Sequence, residues 1–235
     1  MCVKPMIWPV VFEPGAGNYD FMTNQSHWQH IFRTWLLGEA EGDPAHDAQH
    51  IERVVANAQK LAGTEGADFD ILIPAAWLHD CVHVPKDSPD RARASGLAAD
   101  HALTLLAGWD YPAQHFPAIH HAIEAHSFSA NIPTQTTEAK VLQDADRLDA
   151  LGAIGLSRCL MLGGFMGSKL FHPDDPFCEA RTPDDKHFAV DHFYAKLFTL
   201  AGTMKTDAGR ALAEERTEIL RLFLDALRSE IPRGA

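Results

Sequence analysis

His50, the adjacent pair His79-Asp80 and the doublet Asp144/Asp146 are metal-ligand residue types, far apart in the chain. Each lies in a stretch that reads as helix. The pair sits in Pro74-Ala75-Ala76-Trp77-Leu78-His79-Asp80-Cys81-Val82, an apolar run in which packing gives no reason for a carboxylate. A buried carboxylate is costly unless it is paired or bound to a cation. Two imidazoles and two carboxylates from different helices would make a mixed nitrogen/oxygen site for a divalent ion. Such an ion can turn a bound water into a nucleophile. A lone histidine is more often a core or surface residue, but adjacency to Asp80 weakens that reading. In Gln143-Asp144-Ala145-Asp146-Arg147-Leu148-Asp149 a solvated helix face would account for the acids. Val141, Leu142, Leu148 and Leu151 argue instead for burial, where an inward carboxylate needs a cation.

The elements that must position these residues read as nearly all helix. Trp28, Ile31, Trp35 and Leu36 form an apolar stripe at helical spacing, with Asn24 or Ser26 as its cap and a break at Gly42-Asp43-Pro44. A second helix is expected over 47–62, with Ile51, Val54, Val55 and Leu61 inward and His46 and His50 on one face. A third follows Pro74, which suits a first helical turn, and ends near His83. Further helices are expected over 95–107, 117–126 and 138–151, with 152–161 continuing the last or starting another. The stretch 163–185 holds three Pro and three Gly and reads as a lid or partner loop. Two long helices, 188–204 and 207–230, close the chain. The expected fold is all-α: one domain over 22–235, with a metal core at about 46–151 and a C-terminal helical annex at about 186–231. Residues 1–21 read as a weakly structured extension.

Composition narrows the function. The net charge of -12 argues against a nonspecific nucleic-acid binder. No apolar run is long enough to span a bilayer, and Pro5, Pro9 and Pro14 interrupt the N-terminal apolar run, so no membrane association is expected. Cys2, Cys81, Cys159 and Cys178 form no CxxC pair and read as reduced cytoplasmic thiols.

His46-Asp47-Ala48-Gln49-His50, Ala75-Ala76-Trp77-Leu78-His79-Asp80 and Asp144-Ala145-Asp146-Arg147-Leu148-Asp149 together resemble the HD-domain metal-dependent phosphohydrolases. The order His…His-Asp…Asp matches the pattern that defines that superfamily. Glu124-Ala125-His126-Ser127-Phe128-Ser129 and the segment Lys196-Leu197…Met204-Lys205-Thr206…Gly209-Arg210 resemble a bacterial subgroup of stand-alone HD hydrolases. The likeness covers about residues 25–231.

Carried over by motif, the resemblance implies His50, His79, Asp80 and Asp146 as metal ligands. Asp146 is preferred over Asp144 because it precedes Arg147-Leu148-Asp149, and Asp144 would then orient a ligand histidine. The cofactor is one divalent ion: Mn, Fe, Co, Ni, Zn or Mg. His120, His121 and His126 fall where two-metal members place extra histidines, but their spacing favours one metal. Asp80 would help deprotonate the water, and His126 or His46 would serve as general acid or donor to the leaving phosphate. Lys86, Arg91 and Arg93, on the loop after His79-Asp80, would grip a phosphate chain. Arg53, on the His50 face, would join them or pair with an acid, and Lys196 and Arg210 would complete the pocket. The resemblance implies a small phosphorylated substrate, with nucleoside or deoxynucleoside triphosphate cleavage favoured. A silent metal-dependent nucleotide sensor, a phosphodiesterase or alarmone hydrolase, and a purely structural metal are the alternatives. A homo-oligomer is compatible with the sequence.

Overall fold

The computed structural model describes residues 16–40, 48–84, 88, 90–127 and 130–232. The expected break at 42–44, residues 1–15, His46 and Lys86 lie outside the described residues. The fold is all-α. The helices are α1 (Ala16–Ala40), α2 (Ala48–Glu65), α3 (Phe69–Leu78), α4 (Ala94–Gly108), α5 (Phe116–His126), α6 (Thr137–Leu148), α7 (Gly152–Phe165), α8 (Asp191–Ala195) and α9 (Asp207–Glu230). Among the described residues there is no strand, only an isolated bridge between Lys169 and Phe188.

Helices α2, α3, α5 and α6 form the centre, each against at least two of the others. α4 lies outside α5 and α1 crosses α3. α9 packs on α6, α7 and α2, which joins the annex to the core. α2 buries Ile51, Val54, Val55, Ala58, Leu61 and Ala62 at the spacing of one helical face. Each such Val, Leu or Ile contributes about 1.5–3 kcal/mol on burial. No single described helix is long and apolar enough to cross a membrane.

Three boundaries differ from expectation for physical reasons. α3 begins at Phe69, before Pro74, because the Asp68 carboxylate accepts the Asp70 N–H at 2.9 Å and caps it. Pro74 lies inside the helix, where it leaves the carbonyl of Asp70 without its usual donor. The Tyr111 hydroxyl donates to that oxygen at 2.7 Å, so the helix passes through the proline. The same helix ends at Leu78, not near His83, and the Cys81 N–H turns back to the Leu78 carbonyl. The expected 188–204 helix is a short α8 followed by two 3-10 turns, Leu197–Thr199 and Ala201–Thr203. Lys196 leaves helical geometry at φ -139°. Phe193, Leu197, Leu200 and Met204 are buried, and short turns serve their spacing as well as one helix would. At the N-terminus, α1 starts at Ala16, so Asn24 and Ser26 lie within it rather than capping it.

Candidate metal centre

Helix ends bring the ligand-type residues together. His50 lies in the first turn of α2, His79 is the C-cap of α3 with Asp80 next, His126 closes α5, and Asp146 lies in the last turn of α6. α3 and α5 both finish here, so the negative ends of two helix dipoles face the cluster and favour a cation. The donor atoms of His50, His79 and Asp146 lie within 4.8 Å of one another, and so do those of His79, Asp80 and His126.

His79 is fully buried. Its Nδ1 lies 2.8 Å from the Ala76 carbonyl, which can only accept, so Nδ1 carries the hydrogen. Nε2 therefore presents a lone pair, and it has no hydrogen-bond partner. The Asp80 carboxylate is 4.0 Å away. Burial, the largest influence, lowers the His79 pKa and keeps the ring in its metal-binding form. His50 places Nδ1 2.8 Å from Asp149 Oδ2 and Nε2 3.4 Å from Asp146 Oδ1. Burial opposes a proton on His50, but hydrogen bonds to Asp146 and Asp149 outweigh it and raise the pKa to about 9. For Asp146 burial works upward. The His50 hydrogen bond and the neighbouring imidazoles prevail, holding its carboxyl well below the usual range. A buried nitrogen lone pair with no donor, ringed by carboxylates and other imidazoles, fits a divalent ion.

Asp144 does not belong to this cluster. It faces the start of α9, where it accepts the Lys205 N–H at 2.8 Å, the Thr206 N–H at 2.8 Å and the Thr206 hydroxyl at 2.8 Å. A Cβ on Gly209 would lie 2.4 Å from Asp144 Oδ2, so the helix start needs glycine to approach. The orienting part expected of Asp144 falls to Asp149. That carboxylate holds His50 and is itself held by Arg53, through Nε at 2.6 Å and NH2 at 3.1 Å, and by Arg158. Both arginines and the histidine keep its pKa low despite burial. The Arg53 fork thus serves an acid of its own chain.

Of the other expected cations, Arg91 donates to the Val84 carbonyl at 2.9 Å and Arg210 to the Met204 carbonyl at 3.3 Å. Lys196 is exposed at the α8 break. None of these contacts brings Arg91, Lys196 or Arg210 to the cluster. His120 and His121 turn to Asp100 at 3.1 Å and Glu124 at 3.4 Å. His126 alone of that group reaches the site, with Nε2 3.8 Å from Asp80 Oδ1.

The HD domain family model matches residues 47–151, which span every residue of the cluster. The chain is also 34% identical over 209 residues to the protein YpgQ of Bacillus subtilis, covering 85% of this chain and 92% of that one. The chain belongs to the HD superfamily. The crystal structure of Bacillus subtilis YpgQ in complex with ADP matches this HD chain at a TM-score of 0.68 and 32% identity, over 89% of it and 97% of YpgQ. An HD-superfamily hydrolase from Bacillus thuringiensis matches at a TM-score of 0.69 and 29% identity, over 88% and 97%. The expected superfamily and all-α fold are thereby met.

Supports that sequence reading missed surround the HD cluster. Gln143 donates to the Ala125 carbonyl at 2.8 Å, fixing α6 to the end of α5. Asn57 donates to the Ala145 carbonyl at 3.2 Å, and Arg216 spans Leu148 O at 2.7 Å and Asn57 Oδ1 at 2.8 Å. Arg158 carries no motif signal, since its partner is nine residues away on the preceding helix. Asp149 had one: it is the last residue of the Arg147-Leu148-Asp149 run.

Proposed function

We propose that this HD protein is a divalent-metal-dependent phosphohydrolase acting on nucleotides, with nucleoside or deoxynucleoside triphosphate cleavage to monophosphate and pyrophosphate as the favoured reaction. The observation that carries it is the buried, unpartnered Nε2 of His79 beside Asp80, with His50 and Asp146 completing the set. A bound divalent ion would acidify a water and neutralise charge on the phosphoryl group. Asp80, whose side chain is 58% exposed against 30% for Asp146, is the carboxylate with the greater access to solvent and so the group to take the proton from that water. His50 and Asp149, locked together by Arg53 and Arg158, hold one wall of the site fixed.

An open cavity of about 800 Å³ is lined by Ser127, which follows His126 in the chain, and by Asn131, Gln143, Arg147, Thr203 and Lys205, among others. Lys205 and Arg147 give it positive charge, as a phosphate chain requires. The ADP complex of YpgQ supports a nucleotide as occupant. The test is hydrolysis by chelator-stripped protein refilled with Mn, Mg, Co, Ni or Zn. Substrates are nucleoside and deoxynucleoside mono-, di- and triphosphates, with phosphate and pyrophosphate detected separately. Metal-dependent pyrophosphate release is expected. No turnover by folded, metal-loaded protein would sink the reading and leave a nucleotide sensor.

A further inference from the structure

His126 and His79 share a construction that the superfamily pattern does not require. Each closes a helix, α5 or α3. Each sends Nδ1 to the carbonyl three residues back, His79 to Ala76 at 2.8 Å and His126 to Ile123 at 2.6 Å. A carbonyl accepts and never donates, so in both rings Nδ1 carries the hydrogen and the neutral ring's Nε2 carries a lone pair. His50 is tethered likewise, with its Nδ1 on the Asp149 carboxylate. Metal-ligating histidines characteristically commit their second nitrogen in this way.

We infer that His126 is a fifth protein ligand of the same ion, giving a three-histidine, two-aspartate site, and is not the general acid. The inference rests on the metal-centre reading above. With Nε2 on the ion and Nδ1–H on the Ile123 carbonyl, a ligating His126 has no proton left to give a leaving group. His126 is itself buried, and its ring meets that of His79 edge-on at 4.9 Å between centroids. Asp80 lies between them, 4.0 Å from His79 Nε2 and 3.8 Å from His126 Nε2. His79 belongs to both groups of donor atoms, and its single Nε2 lone pair serves one ion, so an ion held there sits between His50 and Asp146 on one side and Asp80 and His126 on the other. Three nitrogen donors also shift the site's preference from Mg toward Mn, Fe, Co, Ni or Zn.

The experiment loads metal-free full-length protein with Co2+ and counts both bound ions and ligating rings. Co2+ is paramagnetic and displaces the ring N–H protons of its histidine ligands far downfield in the proton NMR spectrum. Each ligating ring with its Nδ1–H intact adds one exchangeable signal. One ion per chain and three such signals are expected, from His50, His79 and His126. His126→Asn should remove one signal. It should also weaken Co2+ binding by about 100-fold or more, beyond the roughly 10–100-fold that losing an outer-shell partner costs. Two signals from the wild type, or two ions per chain, would overturn the fifth ligand while leaving the metal centre standing. No Co2+ binding would overturn both. The wild-type count decides the matter even if the variant fails to fold.

Discussion

Two carboxylates two residues apart on α6 face regions that treat buried polar atoms in opposite ways. Asp144 looks toward the annex and is fully paired: two backbone amides and a hydroxyl close on it. Asp146 looks toward the histidine cluster, where the neighbouring His79 Nε2 has no hydrogen-bond partner. A satisfied buried charge joins parts of a fold, whereas an unsatisfied lone pair among anions reserves room for a cation. The same helix thus carries an architectural face and a chemical face. Their difference lies in how each face is paired, not in residue type.

The same substitution at the two positions should separate the faces most sharply. Asp146→Asn should lower metal-dependent hydrolysis by about 10³-fold, the several kcal/mol that a metal contributes to the transition state. The metal-free variant should melt within a few degrees of the parent by calorimetry. Asp144→Asn turns an amide NH2 toward the Lys205 and Thr206 donors and should cost about 3–5 kcal/mol. That should lower the melting temperature by about 10 °C. Below that temperature the variant should retain its metal affinity, measured by titration calorimetry. A variant at Asp144 that folds normally but loses metal would dissolve the comparison.

Smaller effects sharpen it. Asp149→Asn leaves His50 in place but loosens its tether, and metal affinity should fall about 10–100-fold. The pH dependence follows from His50. In metal-free protein its folded pKa of about 9 exceeds the ordinary value of 6.5. The protonated ring therefore stabilises the metal-free fold fully below pH 6.5, and that contribution disappears as pH rises through about 9. Metal must displace the same proton, so apparent affinity should improve by about tenfold per pH unit between those values. A pH-independent affinity there would show that His50 is not a ligand.

How much the sequence revealed differs by region. The four positions proposed as ligands stand out in the sequence because each departs from its surroundings: His-Asp in an apolar run, acids among buried leucines. α9 was legible over its full length, Asp207–Glu230, because its apolar positions keep one period. The stretch 188–204 was not, because its buried residues suit a helix or a series of turns equally. The continuation of α3 through Pro74 was hidden in another element, since only the distant Tyr111 hydroxyl makes it possible. Assigning Asp144 failed for the same reason: its donors lie at residues 205 and 206.

By itself, then, the sequence determined the residue types, the helical scaffold and the superfamily, because composition and local period are properties of the chain. Only the tertiary structure decided what Asp144 pairs with, which arginines are spent on Asp149, and that His126 stands beside Asp80. Those outcomes depend on distances between helices far apart in sequence. There the pairing of each buried donor and acceptor is settled by what packing brings within about 3 Å.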